Sequence, residues 1–232
     1  MRRFFFVKGV KCYAHSTIDS TNNEAVRRIK NGCSTPMLIT SKSQTAGKGT
    51  RGRSFYSEGG GLYMSLALKV DDTHLQKLTV LAAVATAKSI EKLSGKEVGI
   101  KWVNDIYLEG KKVCGILCER VENAVVIGIG VNLSVKAFPD EIKNIAVNLG
   151  KINRNKLAKS IVEEILSMLK SNEDFIPYYR NKSVLIGKEI VYVFDGAEYK
   201  GIAVDIDNMG GLVVEVNGEK QTLTSGDVML LK

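Results

Sequence analysis

Residues 99–119, GIKWVNDIYLEGKKVCGILCE, constrain the fold more than any other stretch. Two polar clusters, Lys101-Trp102-Val103-Asn104-Asp105 and Lys111-Lys112, interrupt a strand-like run of Ile100, Ile106, Tyr107, Leu108, Val113, Ile116 and Leu117. Glu109-Gly110 reads as a turn, so the stretch predicts a hairpin with charged and amide groups gathered at one end. A surface hairpin with solvated charges is the plain alternative. Lys, Asn and Asp beside the chain's only Trp argue for a built site instead.

Three other stretches carry the residue types of a binding site. Ser20-Thr21-Asn22-Asn23 opens a helix that runs to Lys30, with Glu24 in its first turn and Gly32 as the stop. Its hydroxyls cap the helix, alone or together with ligand contact, since a helix N-terminus offers free N–H groups either way. Residues 44–53, QTAGKGTRGR, alternate glycine with Lys48, Arg51 and Arg53. Neither helix nor strand suits that pattern, which fits a phosphate-binding loop that closes over a ligand or a mobile solvated loop. It lacks the GxxxxGK pattern of a Walker loop. Gly128-Ile129-Gly130-Val131-Asn132 ends an apolar strand, either for close sheet packing or for a ligand, and no GxGxxG completes a dinucleotide fingerprint.

Composition removes several function classes. With only His15 and His74, a histidine-built zinc site or a Ser/His/Asp triad is hard to assemble. Cys12, Cys33, Cys114 and Cys118 show no CxxC spacing and read as reduced core or surface residues. The N-terminal MRRFFFVKGV has too short an apolar run for a signal peptide, and no stretch approaches a membrane span, so a cytoplasmic protein without membrane partner is expected. The net charge of +8 is spread over several clusters, with no polybasic tail. Anionic small molecules explain it at least as well as nucleic acid.

The remaining pattern predicts an opening strand over residues 4–14, then strands over 37–41, 62–70 and 124–132. Helices are predicted over 75–93 and 155–170, with a short one over 175–180. From about Val184 the texture changes to five short runs, 190–194, 199–206, 212–216, 220–223 and 228–231, separated by Gly, Asn and Asp turns. Such spacing predicts a small barrel. A boundary near residue 183 gives two domains, 1–183 and 184–232.

DSTNN at 19–23, QTAGKGTRGR at 44–53, KWVNDIYLEGKKVCGIL at 101–117 and GIGVNL at 128–133 together resemble the biotin protein ligases in order and spacing. The resemblance covers essentially the whole chain and implies an α+β fold, a mixed sheet with helices packed on it as in class II aminoacyl-tRNA synthetases, plus a C-terminal SH3-like barrel. It implies a two-step reaction with ATP and biotin as substrates and Mg2+ as cofactor. Biotinyl-5'-AMP forms first, and its acyl group passes to a lysine of a biotin carboxyl carrier protein. By the same resemblance, Ser20, Thr21, Asn22, Gln44, Gly47, Lys101 and Gly115 belong to the biotin site. Lys48, Gly49, Thr50, Arg51, Arg53, Phe55, Asn104, Lys112 and Asn132 belong to the ATP site. Lys101, Lys112, Lys48 and Arg53 are the candidate catalytic cations and Asp105 the candidate metal ligand.

Some positions depart from the family pattern. Lys48 and Thr50 stand where the loop usually carries arginines; lysine keeps the charge without the bidentate fork, and threonine loses it, so a looser grip on the adenylate is expected. Val103 replaces the usual proline of KWPND. The loop is expected to lack order without ligand. With a catalytic strand beginning at Phe4, no N-terminal winged helix and no DNA partner are expected; a homodimer through a sheet edge is compatible. The competing readings are a lipoate- or octanoate-type acyl transferase of the same fold, a nucleic-acid-binding regulator, and a ligase relative that binds biotin without transfer.

Overall fold

The computed structural model describes residues 7–171 and 173–231. The first sheet is built from β1 (Lys11–Ile18), β2 (Met37–Gln44), β3 (Gly61–Leu68), β4 (Gly99–Lys101), β5 (Asp105–Leu108), β6 (Lys111–Val121) and β7 (Ala124–Asn132). Its order is β1-β2-β3-β7-β6-β5-β4, with β1 parallel to β2 and every other pair antiparallel. This is the expected mixed sheet. The hairpin turns at Glu109-Gly110, both at positive φ, as the sequence predicts.

The opening strand differs from expectation. A turn at Lys8-Gly9, with Gly9 at φ 78° and Val10 N–H donating to Val7, delays β1 to Lys11. Residues 4–6 of the expected strand lie outside the described residues. The helix expected over 75–93 divides into α2 (Asp72–Leu75) and α3 (Leu78–Ser94), because Asp71 caps α2 by accepting from the His74 N–H. Helices α1 (Thr21–Lys30), α4 (Arg154–Lys170) and α5 (Ile176–Asn181) complete the set and match the sequence expectation within about two residues.

The sheet buries both faces, and strand alternation divides them. Leu62, Met64, Leu66 and Leu68 of β3, Cys114 and Ile116 of β6, and Val125, Ile127, Ile129 and Val131 of β7 share one core with α3 and α4. The opposite face carries α1, where Ala25 and Ile29 pack on Met37, Ile39, Ala67 and Val126 in a smaller core. Beyond the N-terminus of α1 that face holds Ser65, Gly115, Gly128 and Gly130, the residues that pair across β3, β7 and β6. Small residues there leave a trough on the sheet that larger ones would fill.

The C-terminal strands are β8 (Glu189–Phe194), β9 (Ala197–Ile206), β10 (Leu212–Val216), β11 (Glu219–Leu223) and β12 (Val228–Leu230), antiparallel in the order β11-β10-β9-β8-β12. β11 and β12 are the two edges, so strand pairing alone does not close a barrel among the described residues. Ile190, Tyr192, Leu212 and Val214 join the main core. Trp102 is 4% exposed, and its Nε1 donates to the Gly210 carbonyl at 2.9 Å, pinning this sheet to the turn between β4 and β5. No helix among the described residues is long and apolar enough to cross a membrane.

Trp102→Phe removes that donor and leaves the Gly210 carbonyl without it. The expected cost is about 1–3 kcal/mol, read as a lower urea midpoint at unchanged slope. An unchanged midpoint contradicts the pinning role.

Candidate active site

One row of directly paired residues crosses five strands: Lys101 opposite Asp105, Asp105 opposite Gly115, Gly115 opposite Gly130, and Gly130 opposite Tyr63. Register thus brings a cation and a carboxylate to one end of the glycine floor. Lys112 follows a register shift in β6, and its Nζ lies 2.7 Å from Asp105 Oδ1. That contact is an ion pair without hydrogen-bond geometry, since Asp105 Oδ1 is buried and accepts no hydrogen bond. The backbone of Lys112 is fixed in turn by its N–H to the Ile145 carbonyl at 2.8 Å and by Val147 N–H to its own carbonyl at 3.0 Å.

Lys101 differs from the other cations of the site. No carboxylate of a described residue lies within ion-pair distance of its Nζ, which sits 5.8 Å from the centroid of the Tyr107 ring. Burial pushes the ammonium below its ordinary value of 10.5; the fields of Asp105 and Asp227 oppose this, and those of Lys112 and Arg53 add to it. An anion arriving beside Lys101 would supply the missing counter-charge.

The glycine loop is a folded turn. Lys48 and Ser54 form an antiparallel bridge, Gly49 N–H donates to the Arg53 carbonyl at 2.7 Å, and Thr50–Gly52 makes a single 3-10 turn with Arg51 at φ 56°. Gly47 has no room for a side chain, because a Cβ there would overlap Ser57 Oγ and the Phe55 carbonyl. Arg51 and Arg53 reach the other sheet, placing nitrogens 2.8 and 2.5 Å from the two oxygens of Asp227. Burial raises the Asp227 carboxyl, but hydrogen bonds from Arg53 and Arg51 outweigh it and hold the group below the usual carboxylate value. The tether is therefore present at neutral pH and lost as pH falls through that lowered value.

The neutral half of the site lies over the glycine floor. Ser20 caps α1, and Thr21, Asn22 and Ser65 are buried beside it. Gln44 Oε1 accepts from the Thr21 N–H at 2.8 Å and lies 3.1 Å from Thr21 Oγ1. The Phe55 ring covers Gly115 and Gly130 and meets Tyr63 edge-on at 6.5 Å. Phe55 thus stands on the same floor as Gly115, among the residues that the resemblance gives to biotin. Asn104 ties its turn to β6, donating from Nδ2 to the Ile116 carbonyl at 2.7 Å, and Asn132 is 5% exposed at the end of β7.

The cations, amides and hydroxyls of the expected biotin and ATP sites, from Ser20 to Asn132, border one cleft of about 1320 Å³, with Gly47 just behind its wall. Four contributions escaped the sequence reading: Ser65 and Glu119 behind the neutral half, Asp227 of the second sheet, and an apolar wall of Phe138, Ile142 and Ile145. Glu119 and Asp227 meet partners 97 and 174 residues away, a separation that no local pattern signals. The wall after Phe138 has a visible signal in the apolar residues Phe138, Ile142 and Ile145. Among the described residues no three His, Cys, Asp or Glu gather as a metal cage. Asp105, the expected metal ligand, stands here in its ion pair with Lys112.

Fold and cleft define an enzyme domain with a cation-and-amide trough on a mixed sheet, closed at one side by a small antiparallel sheet. The model of the biotin/lipoate A/B protein ligase family matches residues 14–135, and that of the biotin protein ligase C-terminal domain matches residues 185–231. The bifunctional ligase/repressor BirA of Bacillus subtilis is 34% identical over 97% of this chain and 75% of its own length. The biotin--[acetyl-CoA-carboxylase] ligase of Mycobacterium tuberculosis is 29% identical over 92% of this chain and 86% of its own. The biotin protein ligase from Aquifex aeolicus in complex with biotin and ATP superposes with a TM-score of 0.85 at 25% identity, covering 96% of this chain and 99% of that one. The chain belongs to the biotin/lipoate A/B protein ligase family.

Asp227→Asn tests the tether. The ion pairs are half-exposed, so stability should change by less than about 1 kcal/mol. Tryptic cleavage between Lys48 and Arg53 should nevertheless accelerate several-fold. Equal cleavage rates in variant and parent contradict the tether.

Proposed function

We propose that this protein activates biotin with ATP as biotinyl-5'-AMP and transfers the biotinyl group to a lysine of a biotin carboxyl carrier protein. The observation that carries the reading is Lys101, a half-buried cation without a carboxylate partner at the head of the glycine floor. A carboxylate and a triphosphate repel each other, and a fixed positive charge between them removes much of that barrier. A biotin carboxylate oxygen attacks the α-phosphorus and pyrophosphate leaves. The carrier's lysine amine then attacks the acyl carbon, AMP leaves, and the amine gives up its proton.

In this scheme Lys101 bridges carboxylate and α-phosphate, while Lys112 supports the phosphate side. Lys48, Arg51 and Arg53, with the N–H group of Thr50, hold the phosphates from the loop, and Gly49 closes the turn that carries them. Ser20, Thr21, Asn22 and Gln44 bind the ureido ring. Gly47 and Gly115 permit close approach, and Phe55 packs on the apolar part of biotin. Asn132 and the wall at Phe138 take the adenine, with Asn104 fixing the phosphate-side turn. Asp105 would share Mg2+ with the phosphates, and that ion when bound supplies further neutralisation of their charge. Residues 1–183 act as the catalytic unit and 184–232 as the unit that tethers its loop.

Pyrophosphate exchange with biotin, lipoate and octanoate offered separately tests the reading. Exchange with biotin alone is expected, followed by labelling of a carrier domain. Exchange with lipoate and not with biotin overturns it.

A further inference from the structure

An aromatic ring borders the cleft together with the two hairpin lysines. Tyr107 of β5 lines it beside Lys101 and Lys112. Strand pairing sets Tyr107 opposite Lys112 on one side and opposite Gly99 on the other, while Lys101 pairs with Asp105 two residues earlier. Alternation puts Gly99, Lys101, Asp105 and Tyr107 on one face of the β4–β5 pair, so Lys101 is the diagonal neighbour of Tyr107, within reach of an aromatic and a long side chain. Gly99 has no side chain to claim the ring from β4. The Lys101 Nζ lies over the Tyr107 ring at 5.8 Å from its centroid, inside the range of a cation–π contact.

A half-buried ammonium can be stabilised in two ways. A carboxylate neutralises it and must be displaced before a second anion can bind; an aromatic face attracts it without carrying net charge. Asp105 exerts the largest attractive field on Lys101, yet its ion pair at 2.7 Å goes to Lys112. Burial, with the field of Asp105 adding to it, pushes the Tyr107 hydroxyl up to about 12, so the ring is neutral at physiological pH. That hydroxyl makes no hydrogen bond among the described residues, so the ring face is what Tyr107 offers its neighbour.

We propose that Tyr107 is a positioning residue whose ring face holds the Lys101 ammonium in the cleft, charged and without a neutralising partner, ready for the reacting carboxylate and phosphate. The inference rests on the reading that Lys101 bridges those two anions. The ring sets the ammonium's place, and its π face supplies an attraction that an incoming anion does not have to displace. Without the ring, the strongest remaining attraction on Lys101 is Asp105, directly across the strand pair. The ammonium would then turn toward that carboxylate and away from the substrates.

The test follows kcat/KM for biotin in pyrophosphate exchange through a series of side chains at position 107 of the full chain. Tyr107→Phe keeps the ring face and should stay within about twofold of the parent. Tyr107→Leu keeps apolar bulk without a π face and should lose roughly fivefold to tenfold, chiefly through a higher KM for biotin. A phenylalanine carrying three ring fluorines, incorporated at 107, keeps the shape of the ring but drains its face of electron density. It should lose at least about threefold relative to Tyr107→Phe at an unchanged urea midpoint, a loss that a purely structural role of the ring would not produce. If Tyr107→Leu does not fold by circular dichroism, the comparison of the two phenylalanine rings decides alone. Equal kcat/KM for those two rings overturns the proposal, as does a loss in Tyr107→Phe as large as that in Tyr107→Leu, which would assign the role to the hydroxyl. Absence of biotin-dependent exchange in the parent defeats the underlying reading itself, an outcome distinct from equal rates in the two ring variants.

Discussion

A half-buried ammonium without a counter-ion is a cost that a fold carries for a reason. Lys101 sits where β4 meets β5, with its pKa lowered by burial and no carboxylate at ion-pair distance among the described residues. Asp105 stands directly across the strand pair, yet its ion pair goes to Lys112. The arrangement keeps one cation neutralised and leaves the other without an ion-pair partner among the described residues. Preorganised charge of this kind needs little rearrangement when the ligand arrives.

The rest of the structure serves that placement. Alternation along β3, β6 and β7 sends the large apolar side chains to the core under α3 and α4 and leaves Ser65, Gly115, Gly128 and Gly130 facing α1. The N-terminus of α1 can then bring Thr21 and Asn22 down onto the sheet. Asp227 acts from the other side: a sheet pinned by Trp102 carries the carboxylate that gathers the loop arginines. Thr50 lacks the charge usual at its position, but two arginines remain on that tether.

Much of this was legible in the sequence because its signals were local. The hairpin at 99–119, the glycine loop, the capped start of α1 and the GIGVN strand end each declared their geometry through turn residues and period. The five short C-terminal strands were legible too, though not whether they close, since pairing of the two edges depends on curvature that spacing does not encode. Gly9 was visible, but its φ of 78° decides where β1 starts and is set by the turn it makes. The cross-strand row from Lys101 to Tyr63 depends on register, including the shift between Ile106 and Tyr107, and no residue type announces it. Glu119 and Asp227 carry no local signal of their roles, because their partners lie 97 and 174 residues away.

The central claim is that the charge of Lys101 binds the reacting anions. The most direct measurement is the pH dependence of kcat/KM for biotin in pyrophosphate exchange, compared between the parent and Lys101→Arg. The cation is required, so the parent's kcat/KM should fall as pH rises through the lowered pKa of Lys101, below its ordinary 10.5. Arginine stays charged throughout the accessible range, so Lys101→Arg, even if slower, should lack that alkaline limb. The same limb in both proteins would contradict the account.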